Sequence, residues 1–237
     1  MTDGWASHVL PHGDLRQLAP RIWEVTGSLK NGNLPRNMLV YKLGDGGLLI
    51  HSAIAMNEQT MKRLEQLGKP EVLIVPNGFH RLDAAVWKER YPNLVVVAPK
   101  AALDKAKEKV AVTATCEEFL PGKGVRVHVP AGIKPSELVY EIDTGDGGVA
   151  LVVTDILMNL PRLKGLDGWL LKILGSTGFF GITGIGRMLL LKDRREFRTW
   201  LEHLASTPRL SVISVGHGHS ITKDCQVALQ AAAARLN

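Results

Sequence analysis

The chain alternates short apolar runs with longer amphipathic runs, a pattern that is typical of an α/β protein. Asn57 is a suitable N-cap for the first amphipathic run, and Gly68 is placed to end it. A second helix should end near Arg90, because the residue before Pro92 disfavours helix. In this first half, the predicted strands are 39–43, 48–51, 71–75 and 94–98, and the predicted helices are 57–67, 82–90 and 100–109.

The second half repeats this order of segments. Two matching stretches in the same order favour an internal duplication, and chance similarity between β-rich segments is the alternative. Each half then consists of a hairpin, a helix, a strand and a polar loop. The matching stretches are 138–142 with 39–43, the turn 145–148 with 44–47, and 212–218 with 72–78.

Two such halves, packed sheet against sheet with their helices outside, predict a four-layer αβ/βα sandwich. We expect one domain over residues 1–237, with halves at about 20–115 and 116–237. The polar loops of both halves then meet along one edge. The repeat therefore predicts an α/β (α+β) fold with a site at the junction of two similar halves.

The halves differ in length between the turn and the final polar loop. Gly47 and Asn77 are 30 positions apart, whereas Gly148 and His217 are 69 positions apart. The additional length lies at about 156–191, and a helical cover packed on the core is the favoured interpretation. A lid, a dimer surface or a membrane-surface patch are the alternatives. Residues 187–198 are expected to begin the helix that completes the second half.

Composition is that of a soluble globular protein, with 45% hydrophobic and 22% charged residues. The net charge is +6, but basic and acidic residues are interleaved, as in 105–109 and 192–196. No stripe of aromatic and basic residues accompanies them, so we expect solvated helix faces and no nucleic-acid partner.

The two cysteines, Cys116 and Cys225, lack zinc-type spacing, and we expect reduced thiols in a cytoplasmic protein. Residues 1–25 contain charged side chains and no apolar core of a signal peptide. The uncharged run 173–186 has 14 residues and five glycines. It is too short for a membrane-spanning helix, which needs about 20 apolar residues.

Polar side chains follow three of the predicted strands. Ligands and catalytic groups in α/β proteins gather at the carboxyl ends of strands, where loops carry the chemistry and the sheet supplies rigidity. These loops therefore outline an incomplete metal site. The side chains concerned are Asn77, His80 and Asp83 in the first loop, Asp155 in the second, and His217 and His219 in the third.

At these loops the chain resembles the metallo-β-lactamase fold superfamily, over about residues 20–225. That family has a His-x-His-x-Asp-His loop, a later histidine before a hairpin, an aspartate after it and a histidine in a Gly-His-Gly loop. Here 216–218 reads Gly-His-Gly, and Asp155 follows its strand as the family's bridging aspartate does. Residues 76–80 also resemble a poorly characterised branch of this superfamily, in which the first loop reads Pro-Asn-x-x-His. That branch has no established substrate.

The first loop departs from the family pattern. If His80 is aligned with the second family histidine, Gly78, Leu82 and Asp83 fall at the first histidine, the aspartate and the last histidine. The later family histidine falls at Gly132. Glycine and leucine offer no side-chain donor, so a two-metal centre is not expected.

The resemblance instead implies one metal ion. Its ligands would be His80, Asp83, Asp155 and His217. This mixed nitrogen and carboxylate set suits zinc first, with manganese or iron as alternatives, and a protein without metal remains open. A bound cation would supply a hydroxide nucleophile near neutral pH, and Asp83 or Asp155 would orient it and take its proton.

Each candidate also has a structural interpretation. Asp155 would suit a helix cap or a loop. His217 or His219 would suit a structural histidine, although alternate residues of an extended loop can both face one pocket. His80 and Asp83 suit a hydrogen-bonded pair at a helix start. Three residues are candidates for supporting a ligand or orienting substrate, namely His219, Asn77 and His51, which otherwise sits at the core edge.

The leading hypothesis is a metallo-β-lactamase-like, metal-dependent hydrolase with an atypical mononuclear site. Its small-molecule substrate would be an ester, lactone or phosphoester. The alternative is a catalytically silent family member that binds a ligand or associates with a protein partner. A homodimer through 156–191 is compatible with either.

Overall fold

The structure is a computed structural model that describes residues 3–30, 34–162 and 175–236. The chain divides into two compact units, Met1–Val127 and His128–Asn237. The boundary lies twelve positions after the one expected between the halves. The organisation of these units as one domain stays a prediction.

The first unit is built on a mixed sheet. Its central strands form an antiparallel hairpin, β3–β4, and β4 then pairs in parallel with β5. Within the described residues the sheet has seven strands in the order β1 to β7. These are β1 (Arg16–Ala19), β2 (Ile22–Gly27), β3 (Arg36–Lys42), β4 (Leu48–His51), β5 (Pro70–Ile74), β6 (Val95–Ala98) and β7 (Ala114–Thr115).

Helix α2 shows why the local sequence signals succeed in this unit. Asn57 accepts a hydrogen bond from the backbone N–H of Thr60, and the helix ends before Gly68, as predicted. Met61 and Leu64 are buried on one face of the helix. The helices of the first unit are α1 (Asp3–His8), α2 (Glu58–Leu67), α3 (Ala84–Arg90), α4 (Leu103–Lys107) and α5 (Cys116–Phe119), and a 3₁₀ turn, Lys100–Ala102, precedes α4.

The second unit repeats the same plan. Strands β9 and β10 form an antiparallel hairpin, and β10 pairs in parallel with β11. The predicted order of hairpin, helix, strand and polar loop therefore occurs in both units. In the described part of this unit the sheet order is β11-β10-β9-β8, with β8 (Arg126–His128), β9 (Val139–Asp143), β10 (Val149–Val152) and β11 (Leu210–Ser214). The helices are α6 (Gly184–Leu190), α7 (Arg194–Ala205) and α8 (Cys225–Ala234).

The segment predicted to begin one helix at 187–198 instead contains the end of α6 and the start of α7. The chain is extended at Leu191 and Asp193, and the Asp193 carboxylate caps α7 by accepting from the N–H of Glu196. The N–H groups of Lys192 and Asp193 both donate to the carbonyl of Gly132. The break therefore fastens α7 to the loop that precedes β9.

The described flanks of the long segment 156–191 pack into the second unit. Ile156, Leu157 and Leu160 are buried before the gap, and Ile182 is buried after it. Residues 163–174 lie outside the described residues, so the lid, dimer and membrane-patch interpretations stay predictions. No helix in the described ranges has the length and apolar character needed to cross a bilayer.

Both cysteines are buried and unbridged. Burial raises the pKa of the Cys225 thiol to about 11. Since the thiolate is the reactive form, we expect a disulfide reagent at pH 8 to label Cys225 slowly in the native protein, because only about one Cys225 thiol in a thousand is ionised. Labelling in guanidinium should reach both thiols at once. Rapid labelling of the native protein that is lost in Cys225→Ala would contradict this burial.

Candidate functional site

Asp155 and His217 come together within the second unit. Nε2 of His217 lies 3.1 Å from Oδ1 of Asp155, and the two side chains are only 7% and 17% exposed. Each residue follows one of two neighbouring parallel strands, β10 and β11. Parallel strands end at the same edge of a sheet, so this proximity follows from the sheet topology. The role of the two residues as metal ligands stays a prediction.

Two glycines allow the His217 loop to lie against the segment 154–159. Gly218 has a φ of +91°, and a Cβ there would meet the carbonyl oxygen of Asn159 at 2.0 Å. A Cβ on Gly216 would meet the side chain of Thr154 at 3.0 Å. Close packing against this segment therefore requires glycine at position 218 and favours it at position 216.

Asn159 anchors both sides of this loop. Its N–H donates to the carbonyl of His217, its carbonyl accepts from the N–H of His219, and its side chain donates to the carbonyl of His219. The two histidines differ in exposure, because His217 is buried and His219 is exposed. The predicted supporting role of His219 toward the site stays a prediction.

Glu137 holds the segment that carries Asp155. Its buried carboxylate accepts hydrogen bonds from the N–H groups of Thr154, Asp155 and Ile156, at 2.9–3.2 Å. Three successive amides facing one carboxylate fix the backbone where β10 ends. Glu137 was not predicted as a site residue, because it is a lone acid before an apolar strand and belongs to no motif.

Replacing Glu137 should loosen this segment. We expect Glu137→Gln to lower the free energy of unfolding by about 1–3 kcal/mol, because one oxygen that accepts an amide becomes a donor. Glu137→Ala should cost more, since three amides lose their acceptor. Urea denaturation measures both. The matched control is Glu202→Gln, which removes an exposed ion pair with Arg198 and should cost at most about 1 kcal/mol. Equal effects at the two positions would contradict the role of Glu137.

In the first unit, His80 lies on the loop that follows β5. Its Nδ1 is 2.7 Å from Oγ of Ser52. The Asn77 side chain shapes this loop by accepting from the N–H groups of Phe79 and His80. This contact gives Asn77 a local structural function, and its predicted action on substrate stays a prediction.

The same loop is fastened to the region of α4 by Arg81. The guanidinium donates to the carbonyl of Lys105 and to the carboxylate of Glu108. The ammonium of Lys105 and the guanidinium of Arg81 hold the pKa of Glu108 down at about 2. The ion pair is therefore formed throughout the neutral range, and it adds a second attachment beside His80.

Asp83 is the centre of a buried network in the first unit. Oδ2 accepts from Arg36 at 2.6 Å and from the N–H of Ala55 at 3.0 Å, and Oδ1 is 3.0 Å from Nδ1 of His8. The side chains of Asp83 and Arg36 are 0% and 6% exposed. These contacts favour a structural ion pair at the start of α3. The contact of Asp83 with His8, 75 positions away in the chain, was not predicted.

Solved structures with the same architecture are metallo-β-lactamases. The DIM-1 metallo-β-lactamase superposes with a TM-score of 0.63 at 13% identity, covering 96% of this chain and all of that one. FIM-1 from Pseudomonas aeruginosa, in its mono-zinc form, gives 0.60 at 12% identity, covering 96% and 97%. The enzyme from Erythrobacter litoralis gives 0.58 at 15% identity, covering 93% and 96%.

The chain has the metallo-β-lactamase fold. No protein-family model matches the sequence, and none of the curated proteins matches it either. At sequence identities this low, structural similarity establishes a common fold but does not transfer a reaction from these enzymes to this chain.

Gly132 and Gly78, which were aligned from the sequence with two histidines of the family pattern, differ in how closely they are packed. Gly132 has a φ of +69°, and a Cβ there would meet backbone atoms of Asp193 and Phe197 at 2.4–2.5 Å. Gly78 has less constraint, since its Cβ would meet Lys105 at 3.2 Å. The start of α7 therefore occupies the space that a side chain at position 132 would need.

His51, the other predicted supporting residue, ends β4 and is buried, 2% exposed. It is paired in register with Leu39 across the hairpin. Its position at the end of a central strand, directly before Ser52, agrees with either a core-edge residue or a supporting one. Its action on a ligand stays a prediction.

Proposed function

We propose that this protein is a metal-dependent hydrolase with a single cation held by His80, Asp155 and His217. The observation that carries the proposal is the close approach of Asp155 and His217 in the second unit. The three side chains offer two imidazole nitrogens and one carboxylate oxygen. Such a donor set suits zinc, with manganese and iron as alternatives.

The geometry of the Asp155–His217 pair fits a cation. Zinc bonds to nitrogen and oxygen are about 2.0–2.2 Å long, which places two ligand atoms of a tetrahedral site about 3.3–3.5 Å apart. The 3.1 Å between Nε2 and Oδ1 is a few tenths of an ångström shorter. A cation could therefore enter between these atoms with a small movement of either side chain.

The first unit is proposed to contribute His80 as the third ligand. The Asp83 carboxylate, predicted as a ligand and proton acceptor, is held by Arg36 and the Ala55 amide, so we assign it to supporting the His80 loop. A solvent molecule or substrate atom would complete the coordination. One zinc ion in this fold has a precedent in FIM-1, whose structure is in a mono-zinc form.

A divalent cation in such a site supplies Lewis-acid activation and a hydroxide source near neutral pH. We assign Asp155 to orient the attacking water and to take its proton, because its carboxylate lies beside His217 in the proposed site. Small esters, lactones and phosphoesters are the substrates that this chemistry suits.

A second candidate function is binding without turnover. It is favoured by Gly78, Leu82 and Gly132, which lack donors where the fold's metal ligands are expected. Ile185, Met188 and Leu189 of α6 expose apolar surface that a second copy of the chain could cover, as expected for a homodimer through 156–191. A cytoplasmic location is part of either proposal and is supported by the two unbridged thiols.

The proposal is tested by measuring the metal content and the hydrolytic activity of the same protein preparation. Protein purified without chelator should contain about one zinc per chain and hydrolyse at least one member of an ester, lactone and phosphoester panel. Chelation should abolish the activity, and added zinc should restore it. Zinc binding without turnover would favour the second candidate. Substoichiometric metal that does not rise on zinc addition would contradict the metal site itself.

A further inference from the structure

Ser52 has an unusual backbone conformation next to His80. It directly follows β4, is 3% exposed, and has a φ of +58°. Its N–H donates to the carbonyl of Ile74, which extends the parallel pairing of β4 with β5 by one step. Ser52 is therefore held in the left-handed region by the end of the sheet.

That conformation is unfavourable for a residue with a Cβ. Glycine adopts it freely and asparagine tolerates it, whereas serine is strained there. Strained backbone that persists in a rigid setting occurs mostly at functional positions, where the function of the side chain offsets the strain energy. The Ser52 side chain contributes a hydroxyl, and that hydroxyl contacts His80.

The contact determines which imidazole nitrogen is available. Oγ lies 2.7 Å from Nδ1 of His80, and a hydroxyl can donate to this nitrogen or accept from it. When Nδ1 carries the ring proton, Nδ1–H donates to Oγ and Nε2 keeps the lone pair that a cation needs, whereas the other tautomer has its proton on Nε2. A histidine that binds metal through one nitrogen is oriented by a hydrogen bond to the other.

We propose that Ser52 is a positioning residue that fixes the ring of His80 so that Nε2 serves as the metal ligand. The inference rests on the proposed function. Ser52 is too buried to reach a substrate, so its hydroxyl acts through His80 and is not a nucleophile.

Two substitutions separate the hydroxyl from the backbone strain. Ser52→Ala removes the hydroxyl and keeps the strain, whereas Ser52→Gly removes both. Zinc titration should give dissociation constants about 10–100-fold above wild type for both variants. The melting temperature of the metal-free Ser52→Gly variant should exceed that of Ser52→Ala. Wild-type zinc affinity in the two variants would overturn the proposal.

A measurement on metal-free protein keeps this test independent of the proposed function. Nitrogen-15 shifts of the His80 ring, assigned by comparison with His80→Gln, should report one dominant tautomer in wild type and a mixture in Ser52→Ala and Ser52→Gly. If wild type shows this behaviour but binds no zinc, the proposed hydrolase fails and the positioning role survives. If the ring shifts are the same in all three proteins, the positioning role is wrong even where zinc binds.

Discussion

Replacing His217 or Asp155 with alanine is expected to raise the dissociation constant for zinc by more than about a hundredfold. Changes to residues that only orient a ligand already cost about 10–100-fold, and these substitutions remove a ligand itself. Hydrolysis, where present, should fall with metal content. Isothermal titration and metal analysis of the purified variants measure the effect.

The matched control is His203→Ala. This histidine lies on α7 of the same unit and is exposed. The control should retain wild-type zinc affinity, and far-ultraviolet circular dichroism should show all three variants folded. Loss of zinc binding in His203→Ala while His217→Ala keeps it would contradict the assignment.

The second large effect is expected when Asp83 is replaced, and it concerns the free energy of unfolding. Asp83→Ala leaves the guanidinium of Arg36 buried without its carboxylate and deprives the Ala55 amide of an acceptor. Breaking one partner of a buried ion pair costs about 3–5 kcal/mol. Urea denaturation of the metal-free protein should show a loss of this size.

Two further variants show whether the effect of Asp83→Ala comes from the loss of its ion pair with Arg36. His8→Ala removes the half-exposed partner and should cost less than Asp83→Ala, because His8 is 34% exposed and Arg36 keeps its carboxylate. Asp83→Asn keeps the shape and should retain zinc affinity within a few-fold. Loss of zinc binding in Asp83→Asn at unchanged stability would instead identify Asp83 as a ligand, as the sequence pattern suggested.

The sequence predicted the elements whose signals are local. Strand β4 and the capped helix α2 lie at the expected positions, because an apolar run, an N-cap asparagine and a terminal glycine act within a few residues. Strands β1 and β2 were missed, since their apolar runs are short and interrupted by polar residues such as Glu24 and Thr26.

For the candidate site, the sequence predicted Asp155 and His217 as ligands of one metal ion, and that role stays a prediction. In the structure the two lie close together because they follow neighbouring parallel strands. The sequence did not indicate Glu137, which accepts hydrogen bonds from three amides 17–19 positions away. It also missed Ser52, since a positive φ on serine has no signature in composition or spacing. Supporting residues of this kind are defined by tertiary contacts alone.

Anomalous diffraction at the zinc edge, from crystals of protein purified without chelator and supplied with zinc, shows which side chains hold a cation. We expect one peak at about 2.0–2.2 Å from a ring nitrogen of His80, a ring nitrogen of His217 and a carboxylate oxygen of Asp155. A peak bound to other residues, or none while Asp155 still contacts His217, would show that the proposed metal site is wrong.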